Sequence, residues 1–307
     1  MFNSSISAFA NKENDILLIG ELLIDEIRDD SGTLFSTFGG SPSNIAINLK
    51  QLGFMPLLVS AVGNDSKGNF LLNTLEHYKV GTEMIQRAKM KTTRVELTRS
   101  KEVPVPIFHR TSDYHIELNE TLIEALKKSK ILHISYWPLT KEPSKSTVLK
   151  LVELAKSENL LVAFDPNIHV DLKSSESISH EELLSLLTNV DIVKPSLDDS
   201  ARLFGEGYTK EEYMSFFEAT GVSLILMTLG KHGVFVSYKG KRKLYSVKEI
   251  EVLDATGAGD GFWSGFYAAL LKSKSLDDAI SFAQSISARV LMSIGAITDL
   301  TMLNNLD

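Results

Sequence analysis

The chain has 307 residues, 43% hydrophobic and 23% charged, with 32 Lys+Arg against 39 Asp+Glu and a net charge of −7. That is ordinary for a globular chain with a sizeable core, and the length suits one large α/β domain or two small ones. With no cysteine, no basic block and no apolar run of the ~18–20 residues a membrane span needs, it excludes disulfides and thiolate chemistry and argues against nucleic-acid partners and membrane insertion.

Met1 to Asn14 is polar and Ser/Asn-rich, lacks the charged and apolar regions of a signal peptide, and is expected to be a flexible extension with the cytoplasm as compartment. Ile16 to Gly20 is an apolar run ending in glycine, the pattern of a buried first strand. Gly39-Gly40-Ser41-Pro42 leads into a helix over Asn44 to Leu52, with Pro42 suited to its first turn. Leu57 to Ala61 predicts a second buried strand and Gly68 to Tyr78 a helix. Thr93 to Thr98 alternates, and Val103 to Arg110 carries two prolines; both predict exposed strands. With Glu26 to Thr37 they outline a small β lid, discontinuous over about 26–38 and 92–111, on one domain spanning 15–300.

Beyond the lid the pattern becomes regular. Ile131 to Ser135, Leu160 to Asp165, Val190 to Lys194 and Ser223 to Leu229 read as strands, separated by helical patterns at 119–128, 144–157, 180–188, 196–204 and 210–219. This alternation predicts a three-layer α/β/α fold around a mostly parallel sheet. Gly233 to Tyr238 and Lys243 to Ser246 predict antiparallel edge strands, and 258–271 and 276–292 two closing helices.

In such sheets ligands gather at the carboxyl ends of the strands. Polar clusters fall there: Gly20-Glu21 with Asp25, Asp165-Pro166-Asn167, Lys194-Pro195-Ser196 and Thr228-Leu229-Gly230. The most informative segment is Asp254-Ala255-Thr256-Gly257-Ala258-Gly259-Asp260, which runs into a helix with bulky apolar residues at 262, 263, 266, 267, 270 and 271. Glycines let backbone amides converge, and a helix N-terminus adds positive potential, so phosphate oxygens fit there. A carboxylate at that mouth suits a base that takes a proton from an attacking hydroxyl. The plainer alternative is a cap at Asp260 and a turn at the glycines.

Together these segments resemble the PfkB (ribokinase-like) family of carbohydrate kinases from about Ile16 to Thr298. The resemblance rests on Gly20-Glu21-Leu22-Leu23-Ile24-Asp25, Gly39-Gly40-Ser41-Pro42-Ser43-Asn44, Val62-Gly63-Asn64-Asp65, Asp165-Pro166-Asn167, Lys194-Pro195-Ser196, Thr228-Leu229-Gly230-Lys231-His232-Gly233 and the segment Asp254 to Asp260. It implies a ribokinase-like fold with a β lid used for a homodimer, and transfer of the ATP γ-phosphoryl group to a sugar hydroxyl with Mg²⁺. Asp260 would be the base, and the amides of Gly257, Ala258, Gly259 and Asp260 the anion hole. Asp25, Gly39, Gly40 and Asn44 would hold the sugar. Thr228, Gly230 and Gly233 would shape the nucleotide site, with Lys194 and Ser196 near the phosphates or Mg²⁺. Asp254 and Thr256 match positions that ligate a monovalent cation such as K⁺.

The first-strand and Asp-Pro-Asn motifs are most similar to the fructokinase branch, so fructose is the expected acceptor. The related 2-keto-3-deoxygluconate branch uses arginines near its acid substrate. Arg110 matches the lid position, but His169 stands at the second, following Asn167 by two residues. A neutral imidazole does not replace bidentate guanidinium pairing, which weakens the acid reading. A nucleoside kinase on the same scaffold and a sugar sensor without turnover are the other readings; retention of Asp260 speaks against the sensor. A Rossmann dehydrogenase would carry G-x-G-x-x-G after the first strand, where Glu21 to Asp25 stands instead.

Overall fold

The computed structural model describes residues 12–28, 33–98 and 106–303. The first half runs β1 (Asn14–Ile19), β2 (Leu23–Arg28), β3 (Leu34–Gly39), α1 (Ser41–Gln51), β4 (Pro56–Gly63), α2 (Ser66–His77), β5 (Ile85–Ala88), β6 (Arg94–Thr98) and β7 (Ile107–His109). Then come α3 (Glu120–Lys127), β8 (Ser129–Ser135), α4 (Ser144–Ser157), β9 (Leu161–Asp165), α5 (His180–Leu187), β10 (Ile192–Val193), α6 (Leu197–Phe204) and α7 (Lys210–Ala219). The chain closes with β11 (Leu224–Thr228), β12 (Val234–Tyr238), β13 (Lys241–Tyr245), α8 (Ala258–Leu271) and α9 (Leu276–Leu291).

Nine strands form one sheet in the order β13-β12-β11-β10-β9-β8-β1-β4-β5. Pairing is parallel from β11 through β5, and β12 and β13 add antiparallel at one edge. Strand β1 explains the layering. Ile16 to Ile19 are all fully buried because alternate residues serve different cores. Leu17 and Ile19 join the core under Leu126, Leu151, Leu186 and Phe217, whereas Ile16 and Leu18 join Ile45, Leu71, Phe266 and Ile280. Thus α3, α4, α5 and α7 cover one face, and α1, α2, α8 and α9 the other. Burying each such side chain stabilises the fold by about 1.5–3 kcal/mol.

The expected small sheet is present, in the order β3-β2-β6-β7. Its register aligns Thr37, Asp25, Val95 and Phe108 in one row across the four strands, so these residues share a face.

Three expectations shift. Strand β1 begins at Asn14, whose amide donates to Lys128 O, so the expected extension over 1–14 overlaps the sheet; residues 1–11 lie outside the described residues. Strand β5 was not expected, because Ile85-Gln86-Arg87-Ala88 is too short to show a period. The strand expected over Val103 to Arg110 narrows to Ile107–His109, with 103–105 outside the described residues, as are 29–32 of the other lid segment.

Candidate active site

Helix α8 opens at Gly257, whose φ of 77° is left-handed and whose missing side chain leaves room for Ala296, 2.6 Å from where a Cβ would lie. Among the described residues, the amides of Gly259 and Asp260 make no hydrogen bond, so they point free donors outward at the positive end of α8. Lys194, at the end of β10, reaches the same loop: a Cβ on Gly259 would lie 3.5 Å from its Nζ. The Lys194 ammonium is buried, pairs with Asp165 Oδ1 at 3.2 Å, and lies 5.6 Å from the centroid of the Trp263 ring.

Asp260, a residue only 8% exposed, turns its carboxylate to the start of α1. Ser41 Oγ donates to Oδ1 at 2.6 Å and Asn44 Nδ2 to Oδ2 at 2.8 Å. Two accepted bonds leave two of its four lone-pair positions for another partner. Asn44 Oδ1 is buried with no partner among the described residues, an arrangement that costs about 1–3 kcal/mol unless a donor such as a hydroxyl arrives.

Three carboxyls converge here. Burial pushes Asp260 up to about 6, against the bonds from Ser41 and Asn44. Burial, then the charge of Asp260, raises Asp25 to about 7. Burial likewise raises Glu21 to about 7, opposed by its hydrogen bonds. Asp25 makes no side-chain hydrogen bond among the described residues, and its Oδ2 sits 2.3 Å from where a Cβ on Gly39 would be, so a side chain there would displace the carboxylate. Gly40 turns at φ 113° with Glu21 O pressed 2.4 Å from its would-be Cβ. Burial also raises Asp165, with Lys194 opposing.

The structure therefore brings together Asp25, Gly39, Gly40, Asn44, Lys194, Asp260 and the loop Gly257, Ala258 and Gly259. Other expected residues sit differently. Arg110 does not offer a free guanidinium to a substrate. Its side chain is only 7% exposed, donates to Asp113 Oδ2 from Nε at 2.8 Å and Nη2 at 2.6 Å, bonds Thr140 Oγ1, and stacks 5.0 Å from the Trp137 ring. Ser196 caps α6 in a reciprocal box with Asp199, accepting from its amide at 2.9 Å and donating to its Oδ2 at 2.6 Å. Asn167 is exposed at a left-handed φ of 34°. His169 lies edge-on to Phe108 at 5.5 Å, and burial lowers its proton affinity.

Asp254 accepts from Thr256 N at 2.9 Å and Gly295 N at 3.0 Å, which ties the anion loop to the 291–297 turn. Thr228 N donates to Pro195 O at the neighbouring strand end, while Gly230 and Gly233 turn at φ 55° and 95°, Gly233 tight against Tyr245 O. A cavity of about 280 Å³ beside the His169 loop, lined by Tyr136, Lys173, His180 and Arg202 among others, includes none of the carboxylates.

Ser41, the partner of Asp260, and Asp113, which neutralises Arg110, carry no signal of these roles in the sequence. Neither do Val252, Leu253 and Ile294, exposed apolar side chains on segments flanking the anion loop, with Leu253 N bonded to Leu291 O. An isolated apolar residue carries no periodic signal, so only its exposure marks it. The capping box at Ser196 was legible as Ser-x-x-Asp.

A family model described as pfkB family carbohydrate kinase matches residues 13–302. The ATP-dependent 6-phosphofructokinase of Thermoanaerobacterium thermosaccharolyticum is 41% identical over 305 residues, covering 97% of this chain and 94% of that protein. The structure of Halothermothrix orenii fructokinase superposes with a TM-score of 0.77 at 30% identity, over 92% of this chain and 100% of that one. A double-mutant fructokinase from Vibrio cholerae, solved with fructose, ADP and potassium ion, shares the fold at a TM-score of 0.80 and 24% identity, over 95% of this chain and 96% of that one.

Proposed function

The chain belongs to the pfkB family of carbohydrate kinases, and from that premise we propose that it transfers the ATP γ-phosphoryl group to a hydroxyl of fructose, with Asp260 as the base. Its ribokinase-like fold and its standing as a sugar phosphotransferase follow from the family match and the structural neighbours. The observation that carries the mechanism is the buried Asp260 carboxylate beside the unbonded amides of Gly259 and Asp260. In that arrangement the amides receive charge developing on the γ-phosphoryl oxygens, with Lys194 adding its positive field. Asp260 accepts the proton as the sugar oxygen attacks, so its placement matters more than its strength. Asp25 accepts from one sugar hydroxyl, and Asn44 Oδ1 gains the donor it lacks.

Among the described residues no three His, Asp or Glu side chains form a metal cage. That fits Mg²⁺ entering with ATP, since Mg²⁺ keeps water and phosphate oxygens and neutralises phosphate charge. Asp254, a carboxylate tied to the loop backbone at Thr256 N and Gly295 N, lies where a K⁺ held mainly by carbonyls would sit, and ADP release faster in K⁺ than in Na⁺ is the expected sign. Val252, Leu253 and Ile294 offer the base of ATP an apolar surface. The acid reading loses further ground because Asp113 already neutralises Arg110.

The test is Mg²⁺-dependent ADP release across fructose, fructose 6-phosphate, 2-keto-3-deoxygluconate and nucleosides, with fructose giving the highest kcat/KM. The 41% identical 6-phosphofructokinase favours a second reading, fructose 6-phosphate. Against it, three cations around the lid already pair with carboxylates: Arg110 with Asp113, Lys67 with Glu26, and Arg94 with Glu26 and Glu96. A kcat/KM for the 6-phosphate above that for fructose reverses the order.

Gly39→Ala drives a methyl into Asp25 Oδ2, and should raise the acceptor KM roughly tenfold, about 1.4 kcal/mol, with the ATP KM unchanged. Equal rises in both constants would remove Asp25 from the sugar subsite. Leu34, Phe35 and Ile107 are exposed on the small sheet, and support the homodimer reading. Phe35→Glu should halve the mass seen by sedimentation, and an unchanged mass counts against that interface.

A further inference from the structure

Glu21 is a buried carboxylate that the transfer chemistry does not use. It lies where the chain leaves β1 for the small sheet, and three segments meet on it. Its Oε1 accepts from Ser41 N at 3.1 Å, where the chain returns from the small sheet into α1. Its Oε2 accepts from Ser135 Oγ at 3.0 Å, at the end of β8. The outgoing and returning passes are in contact: a Cβ on Gly20 would lie 2.6 Å from Pro42 Cγ and 2.7 Å from Ser135 Oγ. Burying a carboxylate here costs several kcal/mol that an apolar side chain would not, which marks the position as functional.

The contacts form a relay. Glu21 holds the Ser41 amide, Ser41 Oγ donates to Asp260 Oδ1, and Asn44, one turn along the same helix, donates to Oδ2. Movement of the small sheet would pull on α1 through β3 and disturb both bonds unless the junction were pinned to the large sheet, which Ser135 provides. We infer that Glu21 is a positioning residue for the Asp260 carboxylate, acting through the start of α1 and the Ser41 hydroxyl. It holds by hydrogen bonds, so a glutamine, whose Oε1 accepts from Ser41 N and whose amide donates to Ser135 Oγ, fills the same role.

The inference rests on Asp260 as base, which Asp260→Asn tests separately. Glu21→Ala should lower kcat about 10–100-fold, the scale of a ~1 Å misplacement, while the ATP KM stays within about twofold. Glu21→Gln should restore kcat to within about threefold of the parent, a rescue that a role for the Glu21 charge would not show, while the unchanged ATP KM of Glu21→Ala sets its loss apart from one of general stability. Ser41→Ala cuts the last link and should be slowed to a like degree, and Glu21→Ala with Ser41→Ala should be no slower than the worse single variant. The inference fails if Glu21→Ala keeps its kcat, if Glu21→Gln is as slow as Glu21→Ala, or if the two losses multiply. Should Glu21→Ala not fold, full kcat in Ser41→Ala overturns it alone.

Discussion

Asp260→Asn should lower kcat by ~10²–10⁴-fold while leaving ATP affinity close to the parent value, because base catalysis contributes that much and the amides that hold the phosphates are untouched. Asparagine can still accept from Ser41 or Asn44, so the fold around α8 persists and the loss isolates the proton acceptor. Isothermal titration with a non-hydrolysable ATP analogue beside steady-state ADP release separates the two quantities. Parental turnover in this variant would remove Asp260 from the mechanism. The pH profile supplies a second reading of the same residue. A base must be unprotonated to act, and burial places Asp260 at about 6, so kcat/KM should fall as pH drops through about 6. Glu21 and Asp25, each near 7, titrate just above it, and the limb belongs to the three carboxyls jointly.

Lys194→Met should be the most destabilising single change at the site. The ammonium and the Asp165 carboxylate are both buried and pair at 3.2 Å, and removing one partner of such a pair costs about 3–5 kcal/mol because the other stays uncompensated. Methionine has a similar reach, so the loss measures charge more than volume. The urea midpoint should drop accordingly, and Asp165→Leu added to Lys194→Met should recover most of it. Turnover should not recover in the double variant, because Lys194 also lies against Gly259 of the anion loop. A Lys194→Met midpoint equal to the parent would mean that the pair is solvated in solution.

Much of this molecule is readable because its signals are local. Ile16 to Ile19 is uninterruptedly apolar, and only a strand covered on both faces uses such a run. The loop from Asp254 to Asp260 announces a helix N-terminus through its glycines and the apolar stripe that follows, and α8 begins at Ala258. Where the period is short or absent, as in Ile85–Ala88, the strand is invisible until β4 pairs with it.

Residue chemistry and spacing along the chain determined the layered α/β architecture, the glycine loop and the candidate base, since each depends on neighbours within a few positions. Tertiary structure alone decided which side chains meet. Asp260 lies 216 residues from Asn44 and 219 from Ser41, and their bonds exist only because α1 and α8 pack on one face of the sheet. The same holds for Arg110, whose sequence position suggests a substrate contact until folding brings Trp137 and Thr140 around it with Asp113 neutralising its charge. Burial and long-range pairing set the ionisation of Glu21, Asp25 and Asp260, and neither quantity is written in a linear string.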